Sequence, residues 1–136
     1  MNVKSAANDI RVPISPGELL DKITILRIKS KRMQDPQKLA NVRLELHELE
    51  NTWRACAPAN SDVESDVNAL LEVNERLWVI EDDIRDKERA RSFDAGFIEL
   101  ARSVYIENDE RAAIKKRINV ALGSKIVEEK SYSAYR

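Results

Sequence analysis

The sequence predicts an all-α protein, a four- to five-helix antiparallel bundle, and three observations support this class. The 136 residues include only three glycines and four prolines, which is unlike a protein built from strands and tight turns. Charged residues make up 35% of the chain, as in long helices with solvated outer faces. Apolar residues recur at the spacing of one helix face through most of the chain.

The first helix is predicted from a capping signal at its N-terminus. Ser15 is a suitable N-cap, Pro16 occupies the first helical position, and Glu18 completes a capping box. Apolar side chains lie on several sides of this helix, so we expect it to have neighbours on more than one flank. It should end near Met33.

The second helix should begin at Asp35-Pro36 by the same logic and end before Pro58. Its apolar positions follow a strict heptad seam, which suits packing in an antiparallel bundle or in a dimer. The seam consists of Leu39, Val42, Leu46, Leu49, Trp53 and Cys56. Because Cys56 falls in this stripe, we expect it to be a buried, inert thiol.

The third helix is predicted to begin at Ser61, where Glu64 would close a second capping box. Its apolar positions continue far along the chain, so it should reach Arg89. A helix of this length needs packing partners along most of one face.

The last helical region should be capped by Ser92 or Asp94 and end at Gly123, a residue suited to the position after a helix C-terminus. Residues 107–109 interrupt its pattern. They predict either a kink in one helix or the cap of a fifth helix, and both alternatives stay open.

One domain is the simplest organisation, since the connections between helices are short. Residues 1–9 are predicted to be a flexible N-terminus and residues 10–123 the bundle, with a short extended segment over 10–14. Residues 124–136 are expected to be a partly packed tail. The chain has one cysteine, no membrane-spanning run and no signal-peptide core, so a cytoplasmic location is expected.

Most signatures of catalysis and metal binding are missing from the sequence. The lone histidine, His47, excludes a three-histidine metal site within one chain. The glycines are too far apart for a phosphate-binding loop. A net charge of −1 argues against nucleic acid or a membrane surface as the partner. We therefore expect a second copy or another protein as the partner, and no resident cofactor.

A polar seam between the two C-terminal helical segments is the strongest candidate for a functional site. Asn74, Trp78, Glu81, Asp82 and Arg85 recur at helical spacing and share one broad face with leucines that should be buried. Carboxylates on such a face need partners, because an unpaired buried charge is costly.

A chain reversal near residue 91 would supply those partners from the next helix. Asp82 would lie level with Arg102, and Asn74 with Asn108. The full set is Arg102, Tyr105, Asn108 and Arg111. Two readings stay open: a buried network that fixes helix register, and a pocket for a polar ligand, with Mg²⁺ or Mn²⁺ at Glu81 and Asp82 if any metal binds.

Four motifs together resemble a bacterial family of small α-helical proteins classed as a domain of unknown function. They are S-P-G-E-L-L-D-K-I-T-I-L-R-I-K at 15–29, L-W-x-I-E-D-x-I-R at 77–85, A-R-S-V-Y-x-x-N-D-x-R at 101–111 and E-E-K-S-Y at 128–132. The resemblance covers residues 11–132 and implies no activity. It adds Glu18, Asp21 and Lys22 on the first helix as secondary site candidates.

Two functions stay open at this point. A binding or scaffold module, which self-associates or binds a protein partner, is favoured because it asks less of the sequence. The alternative is a small enzyme or sensor that binds a polar, phosphorylated or nucleotide-linked metabolite in the polar seam.

Overall fold

The protein is described by a computed structural model that covers residues 9–59 and 62–136. Within these residues there are four helices and no strand: α1 (Pro16–Arg32), α2 (Pro36–Cys56), α3 (Glu64–Arg89) and α4 (Ala95–Ala121). The all-α class is therefore confirmed. None of the four helices is long and apolar enough to cross a membrane.

Side-chain caps open three of the helices, as predicted. The hydroxyl of Ser15 accepts a hydrogen bond from the backbone N–H of Glu18 at 3.1 Å. Asp35 caps α2 and Asp94 caps α4 in the same way, at 2.9 Å and 3.0 Å. Each cap satisfies a backbone donor that has no partner within its helix.

The predicted start of α3 was wrong. The helix begins at Glu64, and its N-cap residue is Val63, which makes no side-chain capping bond. Val63 is instead buried in the core, so apolar packing holds the entry to α3. Ser61 and residues 1–8, which include most of the predicted flexible N-terminus, lie outside the described residues.

Two helices end in the same hydrogen-bonded turn. After α4, Gly123 has a φ of +66° and its N–H bonds to Val120, while the N–H of Ser124 bonds to Asn119. After α3, Arg91 adopts a φ of +55° in an equivalent turn. The second turn places a residue with a side chain where glycine is preferred.

The core is built around α1, which contacts each of the other three helices. Its apolar side chains pack against those of α3 and α4. The buried cluster consists of Leu19, Leu20, Ile23, Val63, Leu70, Val73, Ile114 and Ile118. The expectation that the first helix has neighbours on several flanks is met.

In the described residues, α2 packs along one side of the bundle and its backbone approaches only α1. Val42 is its one buried residue, and Leu46, Leu49 and Trp53 are half-buried against the core. Cys56 is exposed, so its expected burial was wrong. The heptad pattern continues to Cys56 in the sequence, but α1 does not cover α2 at that point.

Helices α3 and α4 are antiparallel, as the reversal near residue 91 predicted. Asp66 pairs with Arg117 at 3.0 Å, and further along α3 Arg76 pairs with Glu107 at 2.9 Å. Helix α4 runs unbroken through residues 107–109, so there is no fifth helix at that point.

The far ends of α3 and α4 differ from the rest of the fold. No residue from 78 to 113 is buried. Helix α4 has 27 residues and α1 has 17, which at about 1.5 Å per residue makes α4 about 15 Å longer. Because Gly17 meets Asn119, the extra length lies at the N-terminal end of α4. We call residues 78–107 the distal hairpin.

Candidate functional site

Two facing stripes of small and polar residues join α1 to α4. On α1 the stripe is Gly17, Asp21 and Thr24, and on α4 it is Asn108, Arg111, Lys115 and Asn119. The backbone N–H of Gly17 donates to the side-chain oxygen of Asn119 at 2.7 Å. A Cβ atom at Gly17 would lie only 2.6 Å from the carbonyl oxygen of Lys115. Glycine is therefore what lets the two helices approach so closely.

Asp21 is the centre of this contact, and its side chain is 1% exposed. One carboxylate oxygen accepts hydrogen bonds from Asn74 at 3.0 Å and from Nε of Arg111 at 2.8 Å. The other accepts from Nη2 of Arg111, which makes the ion pair bidentate. Asn74 also donates to the hydroxyl of Thr24 at 3.1 Å.

This part of the network is fully satisfied. In the part of the chain that the structure describes, no buried side-chain nitrogen or oxygen lacks a hydrogen-bond partner. The hydrogen bond to Asp21 raises the pKa of Arg111. Asp21, Asn74, Thr24 and Arg111 together link α1, α3 and α4 through hydrogen bonds and one ion pair.

Lys115 forms a second layer, closer to the surface. Its ammonium donates to Glu18 at 2.7 Å and to Glu128 of the tail at 3.0 Å, and lies 3.9 Å from Asp21. Burial lowers the pKa of Lys115, but the hydrogen bonds to the two glutamates outweigh it and the net change is upward. The side chain therefore stays charged although it is only 10% exposed.

A cleft of about 270 Å³ opens above Lys115, between α1, α4 and the tail. It is lined by Glu18, Asn108, Arg111, Ala112, Lys115, Glu128 and Lys130. Lys130 also borders a neighbouring cavity of about 490 Å³. There Tyr135 packs edge-on against Tyr105, with ring centroids 4.9 Å apart, and its hydroxyl donates to Asp109 at 2.6 Å. The tail is thus packed along α4 without regular secondary structure.

The structure brings together residues from both predicted groups, the polar seam and the first helix. Asn74, Asn108 and Arg111 from the polar seam meet Glu18 and Asp21 from the first helix. They meet at α1, whereas the predicted polar seam lay between α3 and α4. Lys22 lies at the edge of this group, exposed and 3.7 Å from Glu18.

The remaining predicted residues lie on the distal hairpin and do not converge. Glu81 and Arg85 pair with each other on α3, and Trp78 is half-buried. Arg102 lies 3.6 Å from Glu99 on its own helix.

The expected contact between Asp82 and Arg102 is absent. Asp82 and Arg102 lie level with each other along the hairpin, but both are on outer, exposed faces of their helices. The predicted register gives the level of a residue and not the direction in which its side chain points. Among residues 9–59 and 62–136, no group of three or more His, Cys, Asp or Glu side chains is placed to hold a metal ion.

Sequence reasoning missed five residues of this site: Gly17, Thr24, Lys115, Asn119 and Glu128. A signal existed for two of them. Lys115 and Asn119 continue the line of Asn108 and Arg111 at spacings of three and four residues, beside the buried Ile114 and Ile118. Glu128 lies on the tail and no periodic pattern points to it.

A third surface lies between α2 and the segment that precedes α1. It encloses about 550 Å³. Trp53, Leu49 and Cys56 form one wall, while Ile10 and Val12 lie on the other, with exposures of 90% and 65%. None of the predicted site residues except Lys22 borders it.

The fold and the α1–α4 contact define a class of protein: a small helical bundle with an ionic network between its helices and a helical hairpin that extends beyond α1. Residues 10–135 match a family described as "Family of unknown function (DUF6165)", and the chain belongs to this family. No curated protein and no solved structure matches the chain. The predicted membership of a family of unknown function is thus confirmed, and no activity is established.

Proposed function

We propose that the protein is a self-associating binding or scaffold module, in which the distal hairpin pairs with that of a second copy. One observation carries the proposal. No residue of the distal hairpin is fully buried, although the hairpin is rich in large apolar residues. These include Trp78, Ile84, Phe93, Phe97, Ile98 and Leu100.

Helix packing explains why such a hairpin favours a partner. A helix is stabilised by burying an apolar stripe against other elements, and two helices alone cover only a narrow line between them. Two hairpins from two copies form four helices, which can enclose a continuous apolar core as in a four-helix bundle. The same chain supplies both halves, so the interface would be isologous.

The outer faces of the hairpin carry matching apolar and charged positions. On α4, Ile98 and Tyr105 are 57% and 42% exposed, and Arg102 lies between them on the same face. On α3, Val79 is 43% exposed and is followed on its face by Asp82. Placing α3 of one copy against α4 of the other would bring Asp82 to Arg102 of the second copy, a complementary pair at the edge of an apolar contact.

The first test is the oligomeric state measured by light scattering over a range of protein concentrations. We expect a concentration-dependent dimer, and we expect Ile98→Glu to weaken it by about tenfold or more. Leu44→Glu is the matched control, because Leu44 is also exposed, at 64%, but lies on α2. A monomer at every concentration, or equal weakening by both variants, would refute the proposal.

A charge exchange tests the orientation of the pairing. Asp82→Arg and Arg102→Asp should each weaken the dimer, since each places like charges opposite one another. Mixing the two variants should restore association. If the mixture stays as weak as its components, α3 does not lie against α4 of the second copy.

A cytoplasmic location and the absence of nucleic-acid and membrane partners belong to the same proposal. A single exposed thiol, Cys56, suits a reducing compartment. The near-zero net charge offers no long-range attraction to anionic polymers or lipid surfaces.

A further inference from the structure

The cleft between α1, α4 and the tail has a balance of charge that depends on the tail. Asp21 neutralises Arg111, and Glu18 neutralises Lys115. Lys130 also lines the cleft, where Glu128 contributes the remaining carboxylate. Without Glu128 the lining would carry one unbalanced positive charge.

The two glutamates on Lys115 are held very differently. Glu18 belongs to the first turn of α1 and is fixed by that helix. Glu128 lies on a segment without regular secondary structure, its side chain is 51% exposed, and one ion pair at 3.0 Å ties it to Lys115. Such a half-exposed pair adds little stability, so Glu128 can leave at small cost.

Lys115 cannot leave in the same way, because its side chain is 10% exposed and its ammonium is held by Glu18. The N–H group of Lys115 that donates to Glu128 therefore stays in place and can donate to another oxygen in the same position. Asn108 and Lys130 border the same space and can donate to further oxygens.

We propose that this cleft is a binding site for an oxyanion, a phosphate or carboxylate group, and that Glu128 of the tail is its intramolecular occupant in this structure. The ligand displaces Glu128 from Lys115 and restores the charge balance of the cleft. The cleft contains no residue of the distal hairpin, although Tyr135 of the same tail packs against Tyr105 of the hairpin.

The chain contains its own control for this idea. Lys116 and Glu129 form a neighbouring pair at 3.4 Å, with side chains 52% and 72% exposed, and neither lines the cleft. Glu129→Gln thus removes the same charge from the same tail, one residue away, without vacating Lys115.

The experiment is an NMR titration of the full chain with inorganic phosphate and, separately, with acetate, at constant ionic strength maintained with chloride. Glu128→Gln should bind the preferred anion about three- to sixfold more tightly than the wild type, since the site is no longer shared with a carboxylate of its own. The amides of residues 111–115 should report the binding. Glu129→Gln should match the wild type, and the anion that binds more tightly identifies the ligand group.

Removing the cations gives the second half of the test. In the Glu128→Gln background, Lys115→Gln should abolish binding, and Lys130→Gln should weaken it. Lys130 is exposed, so the second variant stays informative if the first does not fold. Equal affinities for Glu128→Gln and Glu129→Gln, or binding that survives loss of Lys130 unchanged, would overturn the proposal.

Discussion

The two ends of the α3–α4 pair belong to the same helices but differ in how far their side chains are buried. At the end near α1, the pair buries apolar residues such as Val73 and Ile114 together with the charged Asp21. In the distal hairpin, the same two helices leave every residue at least partly exposed. The difference is the third helix. Two helices can pack side by side in a fixed register, but a third helix is needed to exclude water from the apolar side chains between them.

The ion pairs follow the same division. Near α1 they join different helices, as in Asp21–Arg111 and Lys115–Glu18. On the distal hairpin most join residues one turn apart on one helix, as in Glu81–Arg85 and Arg102–Glu99. A pair within one exposed helix contributes about 0.3–0.5 kcal/mol, whereas breaking a buried pair between helices costs several times more. Charges of similar appearance in the sequence therefore differ in their importance to the fold.

The largest expected effect is the loss of Asp21. Asp21→Ala should lower the free energy of unfolding by about 3 kcal/mol, because it leaves Arg111 and Asn74 without their shared acceptor. The value lies at the lower end for a buried pair, since the Arg111 side chain is 30% exposed. Urea denaturation measures it. Asp83→Ala on the distal hairpin is the control, because Asp83 is exposed and takes no part in the proposed pairing, and it should change the free energy by less than about 0.5 kcal/mol. Similar losses for both would remove the distinction between the two regions.

A glycine in each region gives the second comparison. Gly17→Ala should cost about 1–3 kcal/mol, since its Cβ meets a backbone oxygen that cannot move alone. Gly96→Ala should be neutral or stabilise by up to about 1 kcal/mol, because its nearest neighbour is the flexible end of Lys87 at 3.1 Å. Thermal unfolding of both variants checks this. A tolerated Gly17→Ala would show that α1 and α4 can separate without loss.

The smallest expected effect concerns the turn at the tip of the distal hairpin. Arg91→Gly should stabilise the protein by about 1 kcal/mol, because glycine adopts the positive φ of this turn without strain. Gly123→Ala makes the reverse change in the equivalent turn after α4 and should destabilise by about the same amount. Differential scanning calorimetry can detect both. If Arg91→Gly instead destabilises the protein, the arginine side chain makes a contribution that exceeds its backbone cost.

The features that could be predicted from the sequence are the local ones. Caps at Ser15, Asp35 and Asp94 depend on a few adjacent residues, and the α3–α4 register follows from one short turn. The oligomeric state, the role of the cleft and the function stay predictions. They depend on what binds to the surface of the protein, a second copy or a ligand, and the sequence of one chain does not contain that information.

What escaped prediction was the long-range pairing of α1 with α4. Gly17 and Asn119 are 102 residues apart, and no local pattern says that one helix face will meet the other. Asp21 was identified as a candidate, but its partner Arg111 was assigned to a seam with α3. Periodicity shows which residues share a face, and only packing decides which face it meets.

The same separation has a consequence for protein synthesis. Helix α1 emerges from the ribosome first, yet Asn119 follows Gly17 by 102 residues, a delay of about 5–20 s at ordinary elongation rates. During that interval α2 and α3 are available to α1, but the face of α1 that packs on α4 has no native partner. Folding of the bundle should therefore be completed only after α4 has emerged.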